Sequence, residues 1–94
     1  MYTFRAELWQ YDGPAPWYFV SLPPDVADDI RARFGPLASG FGSIKVEAAI
    51  RSTHWTTSLF PATTGRTYVL PIKKAVRLAE NLEAGEMATV RLQI

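Results

Sequence analysis

Apolar and polar residues alternate cleanly in three places along this chain. Phe4, Ala6 and Leu8 alternate with Arg5, Glu7 and Trp9, which predicts a strand over Tyr2 to Gln10. Ile44, Val46, Ala48 and Ile50 alternate with Lys45, Glu47, Ala49 and Arg51, so Ser43 to Arg51 reads as a strand with one wet face. Ala88, Val90, Leu92 and Ile94 give the buried side of a last strand, Glu86 to Ile94. Trp17 to Leu22, Thr53 to Phe60 and Arg66 to Leu70 are rich in β-branched and aromatic residues and add three more strands. The breaks between them are Asp12-Gly13-Pro14-Ala15-Pro16, Pro23-Pro24, Gly35-Pro36 with the loop to Gly42, and the hairpin loop Pro61 to Gly65.

Two segments have helical spacing instead. Asp25 to Phe34 buries Val26, Ala27, Ile30 and Phe34, with Asp25, Asp28 and Asp29 at its start and Arg31 and Arg33 at its end. Asp29 and Arg33 are placed for an i,i+4 ion pair. After Pro71, the residues Ile72, Ala75, Val76, Ala79 and Leu82 form a stripe, widened by Leu78, that predicts a helix from Ile72 to Ala84 stopped by Gly85. Its charges run against the helix macrodipole. Lys73, Lys74 and Arg77 occupy the first half, and Glu80 and Glu83 the second.

The element order is strand, strand, helix, strand, twice over: Tyr2 to Arg51, then Thr53 to Ile94. Leu22-Pro23 and Leu70-Pro71 stand before the two helices and suggest an internal repeat. Two such halves about a pseudo-twofold axis would close six short strands into a barrel without exposed edges, plugged by the two helices. The fold class is mainly β with two helices, in one domain spanning residues 1–94. The expected core is Phe4, Leu8, Val20, Val26, Ile30, Ile44, Val46, Ile50, Leu70, Val76, Ala79, Val90 and Leu92.

Composition narrows the function classes. Nearly half of the 94 residues are hydrophobic and a fifth are charged, as in a folded soluble domain. The absence of cysteine excludes disulfide and thiol chemistry. No apolar run approaches a membrane span of ~20 residues, and Met1 to Trp9 lacks the apolar stretch of a signal peptide, so the cytoplasm is the default compartment. A net charge of +1 supplies no global field toward nucleic acid or membrane.

Gly40-Phe41-Gly42-Ser43-Ile44-Lys45-Val46, Trp55-Thr56-Thr57-Ser58-Leu59-Phe60-Pro61, Leu70-Pro71-Ile72-Lys73, Val76-Arg77 and Gly85-Glu86 together resemble the DUF1905 family, a domain of unknown function. The resemblance covers nearly the whole chain and implies a double-split β-barrel capped by helices. It implies no activity. The family often has glycine where this chain has Arg51, and usually Gly-Asp where it has Gly85-Glu86. Double-split barrels also occur in DNA-binding proteins of the AbrB and MazE type, an analogy of fold alone.

No catalytic signature stands out. His54 is the only histidine, too few ligands for zinc, and no metal or cofactor is expected. Ser43, Ser52 and Ser58 lie in no nucleophile elbow. Asp25, Asp28 and Asp29 are explained by the helix dipole. Trp9, Tyr11, Trp17, Tyr18, Trp55 and Tyr68, interleaved with Arg5, Arg51 and Arg66, suggest a stacking platform for single strands or, more simply, barrel filling. The reversed helix charges point to an anion site built from Lys73, Lys74 and Arg77, with Arg66 beside it; ordinary solvated side chains are the competing explanation. The reading is a non-enzymatic barrel module for a small anionic ligand or a protein partner. Nucleic-acid binding is one alternative. The other is an enzyme of small acidic metabolites, with His54, Glu47 or Asp12 as its base. Val46→Asp places a charge on the buried side of a strand and should cost several kcal/mol in thermal or denaturant unfolding.

Overall fold

The computed structural model describes residues 1–62 and 67–94. Strands β1 (Tyr2–Gln10), β2 (Tyr18–Ser21), β3 (Ile44–Ile50), β4 (Thr53–Pro61), β5 (Tyr68–Pro71) and β6 (Met87–Gln93) form a closed antiparallel barrel in the order β1-β2-β5-β4-β3-β6. Helix α1 (Pro24–Phe34) precedes two 3₁₀ turns, Gly35–Leu37 and Gly40–Gly42, and helix α2 (Lys74–Ala79) follows β5. The architecture is the expected mainly β barrel with two helices.

The strand pairing carries the internal repeat. Exchanging β1, β2 and β3 for β4, β5 and β6 turns the β1–β2 pair into β4–β5 and β1–β6 into β4–β3, while β2–β5 and β3–β6 map onto themselves. Single bonds obey the same exchange. The Leu22 N–H donates to the Tyr68 carbonyl at 3.0 Å, and the Ile72 N–H donates to the Tyr18 carbonyl at 2.9 Å. Leu22 therefore corresponds to Ile72, and Tyr18 to Tyr68. This corrects the residues that suggested the repeat. Pro23 matches Lys73, each being the residue that caps the start of its helix, and Pro71 is instead the last residue of β5, paired with Phe19.

Alternation decides most of the core. Phe4, Leu8, Val20, Ile30, Ile44, Val46, Ile50, Leu70, Val76, Val90 and Leu92 are buried as expected, in one cluster to which both helices contribute. Val26 is only half-buried at its edge, and Ala79 and Ile94 are exposed. Trp55 and Tyr68, read as barrel-filling aromatics, and Ile72, from the second apolar stripe, are in the cluster as well, and Leu22 and Leu59 join it without having been expected there.

The second helix is much shorter than its periodicity suggests. It has six residues, and Asn81, at φ 53°, ends it in the left-handed conformation. The Leu82 N–H then donates to Arg77 O at 2.9 Å and the Asn81 N–H to Leu78 O at 3.3 Å, the paired bonds of a Schellman motif. Leu82 is buried by this turn, whereas Ala75 and Ala79 are exposed and Leu78 is 70% exposed. Gly85, expected to stop the helix, serves the next turn at φ 94°, where Glu86 Oε1 accepts the Glu83 N–H at 2.7 Å.

Matched contacts fasten each helix to the barrel. The Tyr2 hydroxyl, opening β1, donates to Asp29 Oδ2 at 2.6 Å. The Thr53 hydroxyl, opening β4, donates to Glu80 Oε2 at 2.5 Å, and both pairs span 27 residues. Tyr2 thus corresponds to Thr53, and Asp29 to Glu80. Across the halves, Arg31 lies over the Tyr68 ring at 5.3 Å, and Arg77 over the Tyr18 ring at 3.7 Å. The expected Asp29–Arg33 ion pair is present at 3.1 Å.

The hydrogen bond from Tyr2, with help from Arg33, holds the Asp29 carboxyl below its ordinary 3.8. The same bond holds the Tyr2 phenol above 10.0. Asp29 therefore contributes stability that is present above its unfolded value and lost as pH falls through its folded one. Tyr2 contributes stability present below its unfolded value and lost as pH rises through its folded one. In Tyr2→Phe, an NMR titration should show the Asp29 pKa rising toward its ordinary value. Thr53→Val, which strips a donor from a buried carboxylate, should cost about 1–3 kcal/mol in denaturant unfolding, more than Tyr2→Phe.

Candidate functional site

The outer face of β4, β3, β6 and β1 is laid out by register. One row across it is His54–Ala49–Arg91–Thr3, and the next is Thr56–Glu47–Gln93. Alternation puts Ala49 on the wet face with Glu47 and Arg51, yet it is only 6% exposed. Its short side chain is a floor between the long neighbours His54 and Arg91. Around it lies an open depression of about 820 Å³ that includes Glu47, Arg51, His54, Thr56, Arg91 and Gln93 in its lining. A second depression of about 390 Å³ is lined by Arg5, Arg51, Arg91, Thr89, Leu82 and Met87, among others. The two share Arg51 and Arg91.

Each arginine is brought there by a different element. Arg5 pairs with Thr89 across β1 and β6, so its side chain lies on the same outer face. Arg91 is on β6. Arg51 is in the two-residue turn between β3 and β4, at φ 51°. That conformation favours glycine, and an arginine held in it costs on the order of 1 kcal/mol. The tight turn forms all the same. Arg51 Nη1 donates to Glu80 O at 3.3 Å and lies 3.4 Å from Glu80 Oε1, while Arg91 Nη2 donates to the Arg51 carbonyl. The Glu80 side chain is 7% exposed and that of Arg51 is 70% exposed. Among the described residues, Arg51 alone of the three arginines has a carboxylate within 4.0 Å.

The pseudo-twofold shows that this charge is not dictated by the barrel. Because Tyr2 corresponds to Thr53, Thr3 corresponds to His54 and Arg5 to Thr56. The row Thr3–Arg91–Ala49–His54 is reversed onto itself, so Arg91 corresponds to Ala49 and Arg51 to Gln93. All three arginines have uncharged counterparts. Arg5, Arg51 and Arg91 line the smaller depression together with Thr89, and planar arginine donors bind oxyanions bidentately.

The residues singled out in the sequence fare differently. Lys73 and Lys74 are exposed at the start of α2, but a helix of six residues carries little macrodipole. Arg77 is already engaged: its Nε donates to Ile72 O at 3.2 Å and its guanidinium covers Tyr18. Arg66 lies outside the described residues, as does part of the expected loop Pro61 to Gly65. His54 lines the larger depression, beside Arg51 and Arg91. Asp28 pairs with Arg31 at 3.2 Å, and Asp29 with Arg33 and Tyr2. Of the aromatics, Trp55, Tyr68 and Tyr18 are absorbed by the core or by arginines, and Trp9 and Trp17 pack against Phe19 at ring distances of 5.1 and 6.3 Å. The Trp55 indole N–H is buried without a hydrogen-bond partner among the described residues, and Trp55 borders the larger depression.

Sequence pattern does not single out Arg91, which lies in a strand read for its apolar side, and it places Glu80 only among the reversed charges of the second helix. The repeat is the signal that could have exposed Glu80, since it sets that residue where Asp29 stands.

The model of a family described as a domain of unknown function, DUF1905, matches residues 4–92. No curated protein matches the chain. Among the described residues, no helix is long and apolar enough to cross a membrane.

Arg51→Gly should relieve the turn but leave the Glu80 carboxylate short of its cation. Unfolding of Arg51→Gly should therefore show a loss that Glu80→Gln partly restores in the double variant.

Proposed function

The chain belongs to the DUF1905 family, and on that footing we propose that this barrel is a binding module for a small anion, held by Arg5, Arg51 and Arg91. The observation that carries the reading is the concentration of these arginines about one depression, at positions whose pseudo-symmetric counterparts are Thr56, Gln93 and Ala49. Exposed charges with no task would be expected to scatter. Here they converge, and one of them sits in a backbone conformation that costs energy.

The test is thermal unfolding with inorganic phosphate against chloride at equal ionic strength. A phosphate concentration 100 times Kd should stabilise the parent by about 2.7 kcal/mol. Arg5→Gln with Arg91→Gln should abolish the gain, and Lys73→Glu with Lys74→Glu should keep it. The opposite pattern would move the anion to the start of α2. A parent that phosphate stabilises no more than chloride does would end the reading.

A further inference from the structure

The larger depression contains a charge that a simple anion would avoid. Glu47 faces the same outer side as Ala49 and pairs across the sheet with Thr56 and Gln93, both of which carry acceptor oxygens. Among the described residues no cation stands within 4.0 Å of Glu47. Lys45, two residues earlier on the same face, is not part of the lining. Arg91 is the diagonal neighbour of Glu47, since it pairs with Ala49 while Glu47 pairs with Gln93. Diagonal positions on one face are about 7–8 Å apart, a gap long side chains can close, yet no Arg91–Glu47 ion pair within 4.0 Å is formed. One depression thus presents a guanidinium pair at one end and an uncompensated carboxylate with neutral acceptors at the other.

We propose that the ligand is a small zwitterion, its carboxylate on Arg91 and Arg51 and its ammonium on Glu47, with Gln93 and Thr56 as additional acceptors. This rests on the anion-binding reading above. Two extended residues span at most about 7 Å, so a dipeptide is a small zwitterion with its two charges well separated and serves as the first probe. The floor fits the same picture. Ala49, buried between His54 and Arg91, adds no side chain that would project into the opening. An opening of about 820 Å³ lies within the usual range for small-molecule sites.

The experiment is isothermal titration of the full chain with phosphate, glycylglycine and acetylglycine. The last two have the same carboxylate and peptide group, and only glycylglycine has an ammonium. Glycylglycine should bind about threefold to fivefold tighter than acetylglycine, the gain of one partly exposed ion pair. In Glu47→Gln the two should bind alike, with an unchanged amide NMR spectrum elsewhere to show that the barrel is intact. Phosphate binding with equal affinity for the two organic acids, or with neither bound, would overturn the zwitterion and leave the anion site standing. A preference for glycylglycine that survives Glu47→Gln would overturn it as well, because the ammonium would then lie elsewhere. Loss of all binding, phosphate included, would instead defeat the underlying anion reading.

Discussion

The shortest strand pair holds the barrel together. β2 and β5 have four residues each, and they join two hairpins that would otherwise end in open edges. Val20 pairs with Leu70 at the centre, and both are fully buried, each burial worth about 1.5–3 kcal/mol. The bonds from Leu22 to Tyr68 and from Ile72 to Tyr18 then extend the seam by one link at each end. These links come just before the residues that cap the two helices, so closure of the barrel also sets where each helix begins.

The helices are tied down by polar contacts that follow the same symmetry with unequal chemistry. Tyr2–Asp29 is partly exposed, and Thr53–Glu80 ends on a buried carboxylate. The second half therefore depends more heavily on its hydrogen bonds, because a buried charge must be compensated. Arg51 completes that compensation from a strained turn. Its guanidinium is nevertheless mostly exposed, so one residue serves the buried carboxylate and faces the depression on the outer wall. Arg77 explains the charge order of α2 in similar terms: it belongs where it can cover Tyr18, and the dipole of so short a helix hardly opposes it.

Pseudo-symmetry gives a way to separate fold from function in this chain. Positions the barrel needs keep their character in both halves, as Leu8 and Leu59, Val20 and Leu70, or Tyr18 and Tyr68 do. Positions on the outer wall are under no such demand. There the halves diverge, with Arg5, Arg51 and Arg91 against Thr56, Gln93 and Ala49, and the divergence gathers positive charge on one side of the axis. Ala49 is informative for the same reason, since a small residue in the middle of a row of long ones makes a depression and not a wall.

Local pattern alone determined the six strands, the existence of two helices, the doubled element order and most of the core, because alternation and turn residues act over a few neighbours. Family-specific segments from Gly40 onward agreed with that reading. Tertiary structure decided the rest. Helical spacing from Ile72 to Ala84 could not reveal that Asn81 turns left-handed and buries Leu82, because the pull on Leu82 comes from the barrel. Glu80 looks like any surface acid until Thr53 and Arg51 are brought to it from another hairpin. The arginine cluster was equally hidden. Arg5, Arg51 and Arg91 lie far apart in the chain, and only the strand register, which follows from closing the barrel, sets them around one depression.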